Sequence, residues 1–297
     1  MNRLFLITFL FFYIIFYSIN LYASNEFLND SSDTFLLAPF QNNDLLLITG
    51  FDYSSGSYGL EHDTYMLYIP MLLRYQKNNW GIDLTFSYIR MTGPDGVYAS
   101  GDGGVIPTES DGISVNNSSQ SADSRKMKPQ KKGNISTNEG LGDVLLNVNY
   151  ALDVPLQFPF LFELGGQIKI PVADEDKALG TGEFDFYVYF DLAYNIGSFS
   201  PFMTLGYQFL GDPDYVNLDN VYYTSLGMDY ALSSTLHSGI IYDYKEKVLS
   251  DSYDKSEAMV YLNCSLTKDV SVNTYVVGGF SKGSPDWASG LQFSFSF

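Results

Sequence analysis

From residue 44 to residue 297 the chain falls into about twelve segments in which apolar and polar side chains alternate with period two: 44–54, 64–75, 80–91, 142–152, 160–171, 183–196, 200–211, 220–231, 235–246, 256–266, 270–281 and 285–297. Alternation at that period marks strands with one dry face and one wet face. The connections between segments alternate as well. The second, fourth, sixth, eighth and tenth are short (QKNN, DVPLQFP, GSF, LSS and TKD), whereas the others are mostly longer and the one spanning 92–141 is the longest. A soluble sandwich has no reason to place its short turns at one end. The pattern predicts an all-β fold, a transmembrane antiparallel up-and-down β-barrel of about twelve strands, with short periplasmic turns and longer extracellular loops.

The two faces of the segments fit that fold. In 183–196, Phe184, Phe186, Val188, Phe190, Leu192, Tyr194 and Ile196 alternate with Asp185, Tyr187, Tyr189, Asp191, Ala193 and Asn195. The first set suits lipid and the second suits a lumen. A Lys or Arg on the lipid face near the midplane would cost about 2–4 kcal/mol, and no segment places one there. Aromatic residues, 16% of the chain, gather at the segment ends, where rings that are half dry and half wet form girdles.

Ahead of the barrel, residues 1–23 carry one basic residue, Arg3, then an apolar run from Leu4 to Phe16 and small residues at Ala23 and Ser24. This is the pattern of a cleaved signal peptide, so the protein is expected in the cell outer membrane, with 24–43 as a periplasmic N-terminal segment and 44–297 as the barrel. The alternative reading of residues 4–22 is an uncleaved anchor. No stretch after residue 24 approaches the ~20 apolar residues a spanning helix needs.

Removing residues 1–23 takes away Arg3 and leaves 15 basic against 34 acidic side chains, a net charge of −19. Phosphate would be repelled, which argues against a nucleic-acid partner. The single Cys264 allows no intramolecular disulfide and no cysteine metal site. The acidic stretches VADEDKALGTGEFD and GDPDYVNLDN lack regular ligand spacing, so no metal or cofactor is assigned. They read either as weak Ca²⁺ loops or as solvated charge bridged to lipopolysaccharide by divalent ions.

Candidate lumen-lining residues follow from the assigned faces: Asp83, Glu163, Lys169, Asp185, Tyr187, Tyr189, Asp191, Asp229, His237, Asp243, Lys245 and Glu257, together with Asp52, Asp143 and Arg74. An excess of acid on a low-dielectric wall favours cations, and the tyrosines offer faces on which a planar solute can stack. The same residues could instead fill and hydrate the interior, since side chains fill eight-stranded barrels and larger ones leave channels. No catalytic residue is assigned. The two histidines are His62, in a loop, and His237, which Asp229 could approach, and no nucleophile accompanies either.

The last segment, GLQFSFSF, places Leu291, Phe293, Phe295 and Phe297 on one face. In a closed barrel the last strand pairs with the first, because an open edge inside lipid leaves backbone groups unpaired. The segment also resembles the C-terminal signal that the barrel assembly machinery reads in bacterial outer-membrane proteins. From Glu139 onward the stretches GLGDVLLNVNY, IKIPVAD, LGTGEFDF, GYQFLGDPD and SPDWASGLQFSFSF resemble a bacterial outer-membrane family named for the MetA pathway of phenol degradation. Two features depart from that family's pattern: IPVAD stands where a Pro-Thr-Gly is usual, and the insert 92–141 is long. The resemblance implies a transporter of aromatic compounds and carries no catalytic residue. The combined reading is a channel for passive passage of small solutes, with hydrophobic or aromatic compounds as the expected class. Its competitors are an outer-membrane lipid or peptide hydrolase and a structural or adhesion barrel.

Overall fold

The computed structural model describes residues 45–101, 103–107, 135–152, 160–213 and 216–297. The expected signal peptide and the N-terminal segment 24–43 lie outside the described residues, as does 108–134 within the long loop. The described residues form fifteen strands: β1 (Leu45–Gly56), β2 (Thr64–Lys77), β3 (Trp80–Pro94), β4 (Val97–Ala99), β5 (Val105–Pro107), β6 (Ile135–Leu141), β7 (Val144–Leu152), β8 (Phe160–Ile170), β9 (Asp185–Tyr194), β10 (Phe199–Phe209), β11 (Val221–Ala231), β12 (Leu236–Lys245), β13 (Lys255–Ser265), β14 (Val270–Gly279) and β15 (Trp287–Ser296). Each wall strand pairs antiparallel with its neighbours, and β15 returns to pair with β1 from Leu46↔Ser296 to Ser55↔Trp287. Since β6 and β7 share one place in the wall, both against β3, the barrel has twelve strands. Closure gives every wall strand two partners, which is what lipid demands of a sheet.

Alternation along the strands separates the two environments. On β9, Phe186 and Val188 are 48% and 50% exposed on the outside, whereas Asp185 and Tyr187 between them are buried at 2% and 8%. Outward aromatics meet across strands near both ends of the wall. Trp80 and Tyr150 have ring centroids 4.8 Å apart, Phe160 and Tyr194 4.4 Å, and Tyr207 and Tyr222 4.6 Å. Such tilted pairs add to the area they cover and anchor the strand ends at the interfaces.

One irregularity shapes the interior. Thr85 pairs with Leu145 and Tyr88 with Leu141, so the two residues Phe86 and Ser87 on β3 face three, Gly142 to Val144, on the opposing strand. This is a β-bulge, and Gly142 sits in it with its N–H on the carbonyl of Ser87 at 2.9 Å. A Cβ at Gly142 would collide with the side chains of Ser87 and Ile89, so a larger residue there would require them to shift. The bulge turns Asp143 into the interior, where it is buried.

The long connection differs in its ends from the loop expected over 92–141. β3 and β6 stay paired through Pro94↔Ile135. The sequence hid this extension because β6, ISTNEGL, is polar: a ribbon rising beyond the lipid belt has no dry face to encode. Within the connection, β4 and β5 form a small hairpin, Val97↔Pro107 to Ala99↔Val105.

That hairpin lies in the mouth of the barrel at the long-loop end. Val97 and Ala99 pack against Met66, Tyr68, Ile89 and Met91 from the inner faces of β2 and β3, and against Leu179 from the loop between β8 and β9. Ile106 on the other arm packs with Leu218, Val221 and Val248 from the loops and wall around β11 and β12. The hairpin therefore spans the mouth between two apolar clusters. Among the described residues, these two clusters gather buried apolar side chains of the wall, the loops and the hairpin.

Candidate functional site

Beneath the hairpin lies a buried ionic cluster. Lys169 of β8 is wholly buried, its Nζ 2.7 Å from Asp185 of β9 and 3.7 Å from Asp143 of the bulge. It also donates to Thr181 Oγ1 at 2.8 Å. Asp143 in turn accepts the backbone N–H groups of Val172 and Ala173 at 3.1 and 3.0 Å, and Asp185 accepts that of Gly211 at 3.0 Å. The charges thus hold two inward-folded loop segments to the wall. A buried cation without these partners would be strongly unfavourable, so the cluster acts as a unit. Gly101, with φ +86°, brings the hairpin's turn onto it: a Cβ there would meet Lys169 and Asp143. Ala99 N–H completes the contact by donating to Ala178 O at 3.0 Å.

Toward the short-turn end the interior is a connected polar wall. Arg74 of β2 grips Asp83 of β3 in a bidentate pair, at 2.7 and 2.8 Å. Asn147 of β7 donates to Asp83 at 3.3 Å and accepts the hydroxyl of Tyr189 at 3.0 Å. Asn149 donates to Glu163 at 2.6 Å, and Thr204 to Asp191 at 2.5 Å. Glu163 and Asp191 stand directly opposite each other across β8 and β9. Nearer the long-loop end, Tyr187 accepts from Gln208 at 2.6 Å, and the carbonyl oxygen of that amide accepts from Lys245 at 3.4 Å.

On the far wall, Asp229 accepts Tyr261 OH at 2.6 Å and faces His237 Nδ1 at 3.0 Å, tying β11, β12 and β13 together. Ser225 donates to Asp243, which stands opposite Glu257, and Glu257 pairs with Lys255 at 2.7 Å. His237 thus serves in a brace. Asp52 accepts the hydroxyl of Tyr275. Above β1, Tyr58 is buried in the first outer loop, and that burial pushes its hydroxyl up to about 12.

The tyrosines follow a rule that the one-dimensional pattern does not display. Tyr189 stands opposite Gly165, Tyr223 opposite Gly206, Tyr261 opposite Gly239 and Tyr275 opposite Gly290. At each glycine an added Cβ would run into the facing tyrosine ring. The rings therefore lie along the wall, over the bare glycine backbone, in the manner of an aromatic covering a sheet glycine. Asn147, Gln208 and these glycines are interior residues that reading polar type alone passed over. The signal was an inward glycine in register with a tyrosine one strand on.

Leu291, Phe293 and Phe295 pair with Phe51, Thr49 and Leu47 along the β1–β15 seam, and Phe297 N–H reaches Leu45 O at 2.9 Å.

A family model described as "Putative MetA-pathway of phenol degradation" matches residues 105–297, more than half of the chain. The chain belongs to that family. No curated protein matches it in sequence. An outer-membrane channel from Pseudomonas putida F1 superimposes with a TM-score of 0.62 at 12% identity, covering 90% of this chain and all of that one. The NanC porin superimposes with a TM-score of 0.51 at 13% identity, covering 84% of this chain and 98% of that one. These likenesses fix the fold of this family member as an outer-membrane β-barrel.

Proposed function

We propose that the protein is an outer-membrane channel for the passive passage of small solutes, and that these are aromatic or otherwise hydrophobic compounds. The observation that carries this reading is the placement of the interior tyrosines. Four of them lie along the wall over glycines, an arrangement that keeps their rings against the wall. Asp83, Glu163, Lys169, Asp185, Tyr187, Tyr189, Asp191, Asp229, His237, Asp243, Lys245 and Glu257 are on this reading the lining of the path. Tyr187 and Tyr189 offer ring faces to a planar solute. The family's name and the channel from Pseudomonas putida F1 support the same assignment.

Export follows from cleavage of residues 1–23. Assembly follows from recognition of Leu291, Phe293, Phe295 and Phe297 by the barrel assembly machinery, and the outer loops meet lipopolysaccharide. The test of the solute class is uptake of phenol by proteoliposomes. The wild type should admit phenol faster than protein-free liposomes do, with no such gain for a sugar of similar size. Replacement of Tyr187 and Tyr189 by Ala should slow phenol selectively, and an unchanged rate would remove the stacking role.

A further inference from the structure

Met66, Ile89 and Met91 form a contiguous apolar patch on the inner faces of β2 and β3, in an interior rich in carboxylates, amides and hydroxyls. A water-filled lumen gives no reason for them. Their present partners are Val97 and Ala99, with Val105 packed alongside: small aliphatic groups carried on a hairpin whose turn, Gly101 to Gly104, holds three glycines. Methionine side chains are flexible and polarizable, and surfaces built from them repack around different apolar partners. We propose that the inner-wall surface formed by Met66, Tyr68, Ile89, Met91 and Leu179 is a binding site for a small apolar or aromatic molecule, that β4–β5 occupies it in this structure, and that solute displaces the hairpin.

Ser100 N–H to Gly104 O closes the hairpin's own turn, and its contacts with the mouth include Ala99 N–H to Ala178 O, so displacement exchanges such contacts for those of the solute. The ionic cluster of Lys169, Asp143 and Asp185 has bonds to the wall and to the loops at Val172 and Gly211, and these remain when the hairpin moves. A molecule that binds the vacated surface and not the occupied one shifts the hairpin's equilibrium by its differential affinity alone. A polar solute offers the methionines nothing and leaves the plug seated. The site deepens the channel reading, on which it rests for the direction in which solute moves.

The test uses the whole chain, refolded in detergent, with Cys264→Ser and Ala99→Cys. Ala99 is wholly buried, so the rate of its modification by N-ethylmaleimide reads hairpin displacement. Toluene should raise that rate on the order of tenfold, and glycerol at the same concentration should not. A Val105→Cys variant reports from the other arm if the first variant does not refold. Equal rates with and without toluene, or an equal rise with glycerol, overturn the site. Failure of the channel reading would look different: labelling would respond to toluene while proteoliposomes admitted phenol no faster than protein-free liposomes do.

Discussion

The ammonium of Lys169 and the carboxylate of Asp185 lie 2.7 Å apart across β8 and β9, with both side chains shut away from solvent. Asp143 shares the same cation from the bulge. Removing one member of such a group leaves the others buried and unpaired. Lys169→Met should therefore destabilise the folded barrel by about 3–5 kcal/mol. The triple replacement of Lys169, Asp143 and Asp185 by neutral residues of similar size should recover much of that loss. Denaturant unfolding in micelles, read by the mobility difference between folded and unfolded barrel, measures both.

Gly165 leaves room for the ring of Tyr189 to lie on the wall. Gly165→Val should push that ring toward the axis at a cost of about 1–3 kcal/mol, the range for overpacking. On the channel account the variant folds and conducts less than the wild type. Recovery of the wild-type conductance in Gly165→Val with Tyr189→Ala would show that the ring is the obstruction.

Glu163 and Asp191 face each other on neighbouring strands, and the hydrogen bonds described for them come from Asn149 and Thr204, which carry no charge. A solute path past them should prefer cations. In a salt gradient the reversal potential should show that preference. Glu163→Gln with Asp191→Asn should move the potential toward zero, and an unmoved potential would place the selectivity elsewhere.

Leu226 lies outward near the middle of β11 and is half exposed to the lipid side. Leu226→Arg should cost about 2–4 kcal/mol, the penalty for Arg near the bilayer midplane. The same denaturation assay reads it. A negligible cost would argue that this face does not meet hydrocarbon.

The sequence made the wall legible and the mouth illegible, for one physical reason. Period-two alternation encodes a strand only where one side is dry, as along Phe184, Phe186 and Val188. Where β6 rises beyond the lipid belt both sides are wet, and the strand reads as loop. The hairpin Val97–Pro107 is short, and its apolar residues are addressed to Met66 and Ile89, far away in sequence, so no local pattern marks it. The ion pair of Lys169 was likewise hidden in part. The residues stood out as inward charges, but their convergence depends on the register of β8 with β9 and on the extra residue of the bulge. The tyrosine–glycine pairs were present in the sequence and needed only that register to be seen.

The measurement that bears most directly on the account is the conductance of the refolded protein in a planar bilayer, compared with a variant in which Val97–Pro107 is replaced by a short Gly-Ser linker. An open path through the barrel gives discrete steps whose size or frequency rises when the hairpin is removed. Two barrels that fold and are both silent would contradict it, since neither would offer a path through the wall.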